Sequence, residues 1–271
     1  MQGWKSFIAT GDKIRYVNSL LKVGFDTIDC GSFVSPKVIP QMADTKEVLA
    51  GLEMDGSPSK LLVIVANTRG AEEASIYEQV SYVGFPFSVS GTFQKRNTNS
   101  TIAESFVRVH EIQEICIKKG KQLVIYISMG FGNPYNDPYS DKIVFEWVSR
   151  ISSLGVRIIS LADTVGLATP QQVSAITGYL VNKMPDHEIG VHLHSTSANW
   201  EEKLEAAFQT GCRRFDGALK GIGGCPMAND ELVGNMNTEL MIPYFEKHQV
   251  LKNLDHEALA QSLKIASEIF V

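Results

Sequence analysis

The 271-residue chain carries 30 acidic against 25 basic side chains, a formal net charge of -5, with 44% hydrophobic and 20% charged residues. That balance supports a large buried core in one α/β barrel or two smaller domains, and its scattered Lys and Arg give no basic footprint for nucleic acid. The four cysteines lack CxxC spacing, no apolar run reaches the roughly 18 residues of a membrane span, and the N-terminus lacks a signal-peptide core, so a reducing compartment, the cytoplasm, is expected.

In chain order, the first predicted element is a helix from Thr10 to Val23, with Ile14, Val17, Leu20 and Leu21 on one face and Gly24 as its stop. Strand-like runs follow at Phe25 to Cys30, Leu61 to Val65, Phe85 to Ser90, Leu123 to Ser128, Arg157 to Leu161, Glu188 to Leu193 and Arg213 to Ala218. A helical stretch succeeds each of them. Thr101-x-x-Glu104 opens one such helix with a capping box that runs on to Lys119, and Thr169-Pro170-Gln171-Gln172 opens another with proline at its first position. Strand and helix alternating at intervals of about 30 residues describe a TIM-type (β/α)8 barrel, one domain over 1–271 with C-terminal helices. The count stops at seven strands. Because a helix comes first, the missing or incomplete first strand is expected to precede Met1, with Trp4 to Ala9 as the alternative.

Polar groups gather where these strands end, which is the catalytic face of such a barrel. His192 and His194 are two apart on one strand, so both imidazoles face the same side and form a pair of candidate metal ligands. Asn235 offers an amide oxygen suited to a hard divalent ion such as Mg²⁺ or Mn²⁺, and Asp163, just past the fifth run, offers a carboxylate. Asp163 reads equally well as a turn or cap residue. Cys225 sits among Gly223, Gly224 and Pro226, in a loop from which its thiol can reach over a substrate. Asp29 ends the first run as a further rim carboxylate, while Lys37, Lys95 and Arg96 lie on loop stretches that could hold an anion.

At these residues the chain resembles the hydroxymethylglutaryl-CoA lyase family of metal-dependent barrels, relatives of the isopropylmalate and homocitrate synthases. The resemblance spans nearly the whole chain. It rests on Ser32-Phe-Val-Ser-Pro-Lys37 with Pro40-Gln-Met42, Ser160-Leu-Ala-Asp-Thr-Val-Gly166, His192-x-His194, and Gly223-Gly-Cys-Pro226 with Gly234-Asn235. The likeness implies His192, His194 and Asn235 as ligands of a divalent metal, Cys225 as a loop thiol near the reacting carbons, and Asp163 as a rim carboxylate aiding proton transfer. It also implies Asp29 in the place of a family glutamate and an acyl-CoA substrate.

Two departures accompany the resemblance. Ser195 follows the histidine pair where many relatives carry an acid, and the family's first-strand arginine-aspartate pair is absent. The expectation is therefore a hydroxymethylglutaryl-CoA lyase truncated before that pair and impaired by its loss. The alternatives are a condensing enzyme joining acetyl-CoA to a 2-oxo acid, or a non-catalytic CoA-ester-binding barrel. An incomplete barrel exposes strand edges, which opens the way to a homo-oligomer.

Overall fold

A computed structural model describes residues 1–223, 234–251 and 253–271. Seven strands form one parallel sheet in strict sequence order: β1 (Thr27–Ser32), β2 (Lys60–Ile64), β3 (Val80–Ser88), β4 (Gln122–Ser128), β5 (Ile158–Ala162), β6 (Glu188–His192) and β7 (Arg214–Phe215). The sheet curls into a partial barrel in which β1 and β7 remain the two edges.

The helices that cover it are α1 (Thr10–Val23), α2 (Thr45–Ala50), α3 (Thr68–Ser75), α4 (Gly91–Thr98), α5 (Ile102–Lys119), α6 (Asp141–Ser152), α7 (Pro170–Lys183), α8 (Trp200–Phe208), α9 (Thr238–Lys247) and α10 (His256–Ile269). Sequence signals set their ends. α1 stops where Gly24 takes a left-handed φ of 89°, and both expected capping boxes form, Thr101 with Glu104 on α5 and Thr169 with Gln172 on α7.

Strand alternation sorts the side chains into two layers. Ile28, Leu61, Val63, Val83, Phe85, Phe87, Ile125, Ile127, Ile159, Leu161, Ile189 and Val191 point outward and are buried under the helices as the main core. The other parity faces the barrel axis, where Leu62, Tyr82, Val124 and Ile158 make a smaller inner cluster. Arg214 crosses this inner layer and bonds Glu188 at 2.8 Å. It lies directly over Gly190, where a Cβ would come within 2.8 Å of its Cδ. Only glycine leaves the guanidinium that path.

Three expectations need correction. Trp4 to Ala9 contains no strand, because its backbone is bonded to a side chain instead: Gln41 Nε2 donates to the carbonyls of Trp4 and Ser6, and Gln41 Oε1 accepts from Ile8 N–H. The third strand begins at Val80 rather than Phe85, since Gly84 interrupts only the sequence pattern and its small size admits Ile64 and Tyr126 beside it. The Phe93 to Asn97 stretch is helical, within α4, with Phe93 and Gln94 buried.

The last helix returns to the first. α10 packs against α1, and Ile8, Tyr16, Val23, Leu219, Ile242, Leu259, Ile265, Ala266 and Phe270 form a second core. Phe270 meets Trp4 and Tyr16 edge-on, at 5.4 and 5.7 Å between ring centroids.

Candidate active site

Inward parity at the C-terminal strand ends collects Asp29 from β1, His192 and His194 from β6 and its extension, and Asp216 just past β7. The rings of His192 and His194 lie 5.5 Å apart between centroids, as two residues on one face of a strand should. Asp216 Oδ2 sits 3.2 Å from His192 Nδ1 and fixes that ring from below. Partial burial pushes the His192 pKa down, but the hydrogen bond and charge of Asp216 outweigh it, and the net displacement is upward.

His194 is in the opposite situation. It is 3% exposed, and desolvation, reinforced by the neighbouring His192 and Lys203, lowers its pKa to about 4. Its ring is therefore neutral at physiological pH, the form that ligates metals. The Thr164 backbone and the Asn235 side chain face this ring and partly offset the lowering. Asn235 donates its Nδ2 to the Ile222 carbonyl at 2.9 Å, which orients the amide so that Oδ1 is the end on the His194 side. A bridge between the His194 and Asn235 backbones holds the two residues together.

Asp29 is accessible at the barrel mouth. Desolvation between the barrel walls, followed by repulsion from Asp216, raises its pKa, although solvent entering the mouth moderates that effect.

Of the two readings of Asp163, a rim carboxylate aiding proton transfer or a turn residue, its contacts fit the turn residue. It is 2% exposed with both oxygens engaged, Oδ1 accepting from Ala168 N–H at 3.0 Å and Oδ2 from Lys203 Nζ at 2.8 Å. It lies at the rim, where its own N–H bonds the His192 carbonyl at 2.9 Å, but it braces the site from within. Cys225 falls in 224–233, outside the described residues. Ser195 is buried, with its hydroxyl 3.4 Å from Met236 Sδ. Lys37, Lys95 and Arg96 are exposed, Arg96 lying 4.7 Å over the Tyr135 ring.

Sequence reasoning missed Asp216 and Lys203. Asp216 had a visible signal, since a carboxylate at the end of a barrel strand is in the same position as Asp29. Lys203 had a subtler one: it occupies the apolar stripe of α8, in register with Leu204, Ala207 and Phe208.

The donor set fits a hard divalent ion. Among the described residues no three His, Cys, Asp or Glu side chains form a metal-holding group, and the Asn235 amide is the neutral oxygen donor that lies beside the imidazoles. Its orientation and the neutral state of His194 suit metal ligation, with Asp29 and Asp216 supplying negative charge nearby.

The HMGL-like family matches residues 1–265. The chain belongs to the HMGL-like family. It is 30% identical over 271 residues to the hydroxymethylglutaryl-CoA lyase YngG of Bacillus subtilis, covering 99% of this chain and 89% of that protein. It is 33% identical over 244 residues to the mitochondrial hydroxymethylglutaryl-CoA lyase of Mus musculus, covering 89% of this chain and 74% of that protein. Among solved structures, an HMG-CoA lyase from Acinetobacter baumannii in complex with coenzyme A and 3-methylmalate superposes with a TM-score of 0.91 at 32% identity, covering 99% of this chain and 87% of that one. The expectation that this HMGL-like chain is cut short ahead of its first strand is not borne out by these matches, and no loss of activity follows from it. The condensing and non-catalytic alternatives gain no support from them either.

Proposed function

We propose that this chain is a hydroxymethylglutaryl-CoA lyase that cleaves 3-hydroxy-3-methylglutaryl-CoA to acetyl-CoA and acetoacetate. The observation that carries the reading is the meeting of His192, His194 and Asn235 with Asp29 and Asp216 at one barrel mouth, in a chain about a third identical to lyases of that name. A divalent ion, Mg²⁺ or Mn²⁺, held by His192, His194 and Asn235 would acidify the substrate's tertiary hydroxyl and orient it. Asp216 keeps the His192 ring in place, and the buried surroundings of His194 keep its ring unprotonated. Asp29, open to the mouth, is the carboxylate positioned to take the hydroxyl proton.

The O–H electron pair then becomes the ketone C=O of acetoacetate as the adjacent carbon–carbon bond breaks. The electrons of that bond go to the enolate of the acetyl thioester, which takes a proton at carbon and leaves as acetyl-CoA. Asp163 supports this arrangement through the backbone rather than by touching substrate. The acyl-CoA substrate is inferred from the relatives. Among the described residues no helix is long and apolar enough to cross a membrane.

The test is acetoacetate release from 3-hydroxy-3-methylglutaryl-CoA by the purified chain with Mn²⁺ or Mg²⁺. Release should require the divalent ion and disappear in His192→Ala. No release from a folded protein that binds Mn²⁺ would overturn the substrate assignment.

A further inference from the structure

We propose that Lys203 is a positioning residue that sets the orientation of the His194 ring. The inference rests on the reading that His192, His194 and Asn235 hold a divalent ion. Lys203 is 2% exposed, on the first turn of α8, and its ammonium reaches three segments at once: Asp163 Oδ2 at 2.8 Å, the His194 carbonyl at 3.0 Å and the Gly166 carbonyl at 3.2 Å. All three donors of the ammonium are thereby used, which is what burial of a lysine requires.

An apolar residue on the same helical stripe would pack without desolvating a charge. What only the cation does here is bind acceptors left open where β5 and β6 run out. The Asp163–Gly166 turn carries Thr164, whose backbone faces the His194 ring. Thr164 is itself pinned, its Oγ1 accepting from Met129 N–H at 2.8 Å. Lys203 thus fixes both sides of one contact, the backbone of His194 and the turn that touches its imidazole. Its partner Asp163 adds a third tie, through the bond from its N–H to the His192 carbonyl. Groups that orient a metal-ligating histidine tune its affinity as strongly as some ligands do.

The experiment measures Mn²⁺ binding to the full chain by calorimetry, together with thermal unfolding, in wild type, Lys203→Met and Lys203→Met/Asp163→Asn. The double variant removes both charges but leaves an Asn oxygen to accept from Ala168, so it separates lost stability from lost positioning. The expected result is a Mn²⁺ affinity weaker by about 10–100-fold in both variants, with the melting temperature largely recovered in the double variant. Wild-type Mn²⁺ affinity in the folded double variant would overturn the proposal and reduce the pair to a structural one. Absence of Mn²⁺ binding in the wild type would instead overturn the metal-site reading on which it rests.

Discussion

Among the described residues two lysines are almost fully buried, and they are held in similar ways to different ends. Lys13, 1% exposed on α1, bonds the Gln41 carbonyl and Asp44 Oδ1 and lies 4.2 Å from the Phe7 ring centre. Its acceptors belong to the connection after β1, and the same Gln41 anchors residues 4–8, so this ion pair joins scaffold to scaffold. Lys203 has the same chemistry but ends on the backbone of a candidate ligand. A buried Lys–Asp pair therefore carries no functional message in itself. What distinguishes the two is the third acceptor.

The sharpest way to break this contrast is to neutralise each lysine in turn. Lys203→Met should lower stability by about 3–5 kcal/mol in urea unfolding, because it strands a buried aspartate, and Lys13→Met by less, because Asp44 is partly exposed and keeps its bond from Thr10. Only Lys203→Met should weaken Mn²⁺ binding; equal Mn²⁺ defects in both would erase the distinction.

A somewhat smaller effect tests His194 by pH. Its folded pKa, about 4, lies below the ordinary 6.5, so between those values the unfolded chain binds the extra proton. Stability of the metal-free protein should fall as pH drops from about 6.5 toward 4, by up to about 3 kcal/mol from this residue. His194→Gln should flatten that part of the urea-unfolding profile. His192, with a raised pKa, acts elsewhere: its bond to Asp216 contributes stability below pH 6.5 that is lost as pH climbs through the folded value. An unchanged profile in His194→Gln would contradict the neutral, buried ring.

Gly190→Ala should cost about 1–3 kcal/mol, since the new methyl presses on Arg214 in the barrel floor. The smallest change is expected from Thr101→Ala, which removes the α5 cap for about 1 kcal/mol in a denaturant titration and leaves Mn²⁺ affinity alone. These two are scaffold controls, and a Mn²⁺ defect in Thr101→Ala would show that any destabilisation disturbs the site.

All seven strands could be anticipated from the chain, six as β-branched or aromatic runs followed by a helix start and the seventh, Arg213 to Ala218, from its place in the repeat. The errors came where tertiary contacts override punctuation. Gly84 looks like a break but is a strand residue that makes room for inner side chains, and β7 is confined to Arg214–Phe215. At the site, His192, His194 and Asn235 were legible through spacing and resemblance. Asp216 and Lys203 carried only positional signals, because what matters about them is contact with residues 24 and 40 positions away. The two readings of Asp163 stayed open for the same reason: a rim position can be read from a strand end, but its commitment to a cation on a later helix cannot.

The packing of α10 on α1 has a kinetic consequence. Arg15 and Glu268 meet at 2.8 Å across 253 positions of chain, and Phe270 fills the pocket made by Trp4 and Tyr16. Bringing such distant segments together pays its loop entropy late, after the intervening strands have assembled. The second core thus acts as the closing seam of the fold. Until the last helix has docked, the first one keeps an apolar flank open to solvent.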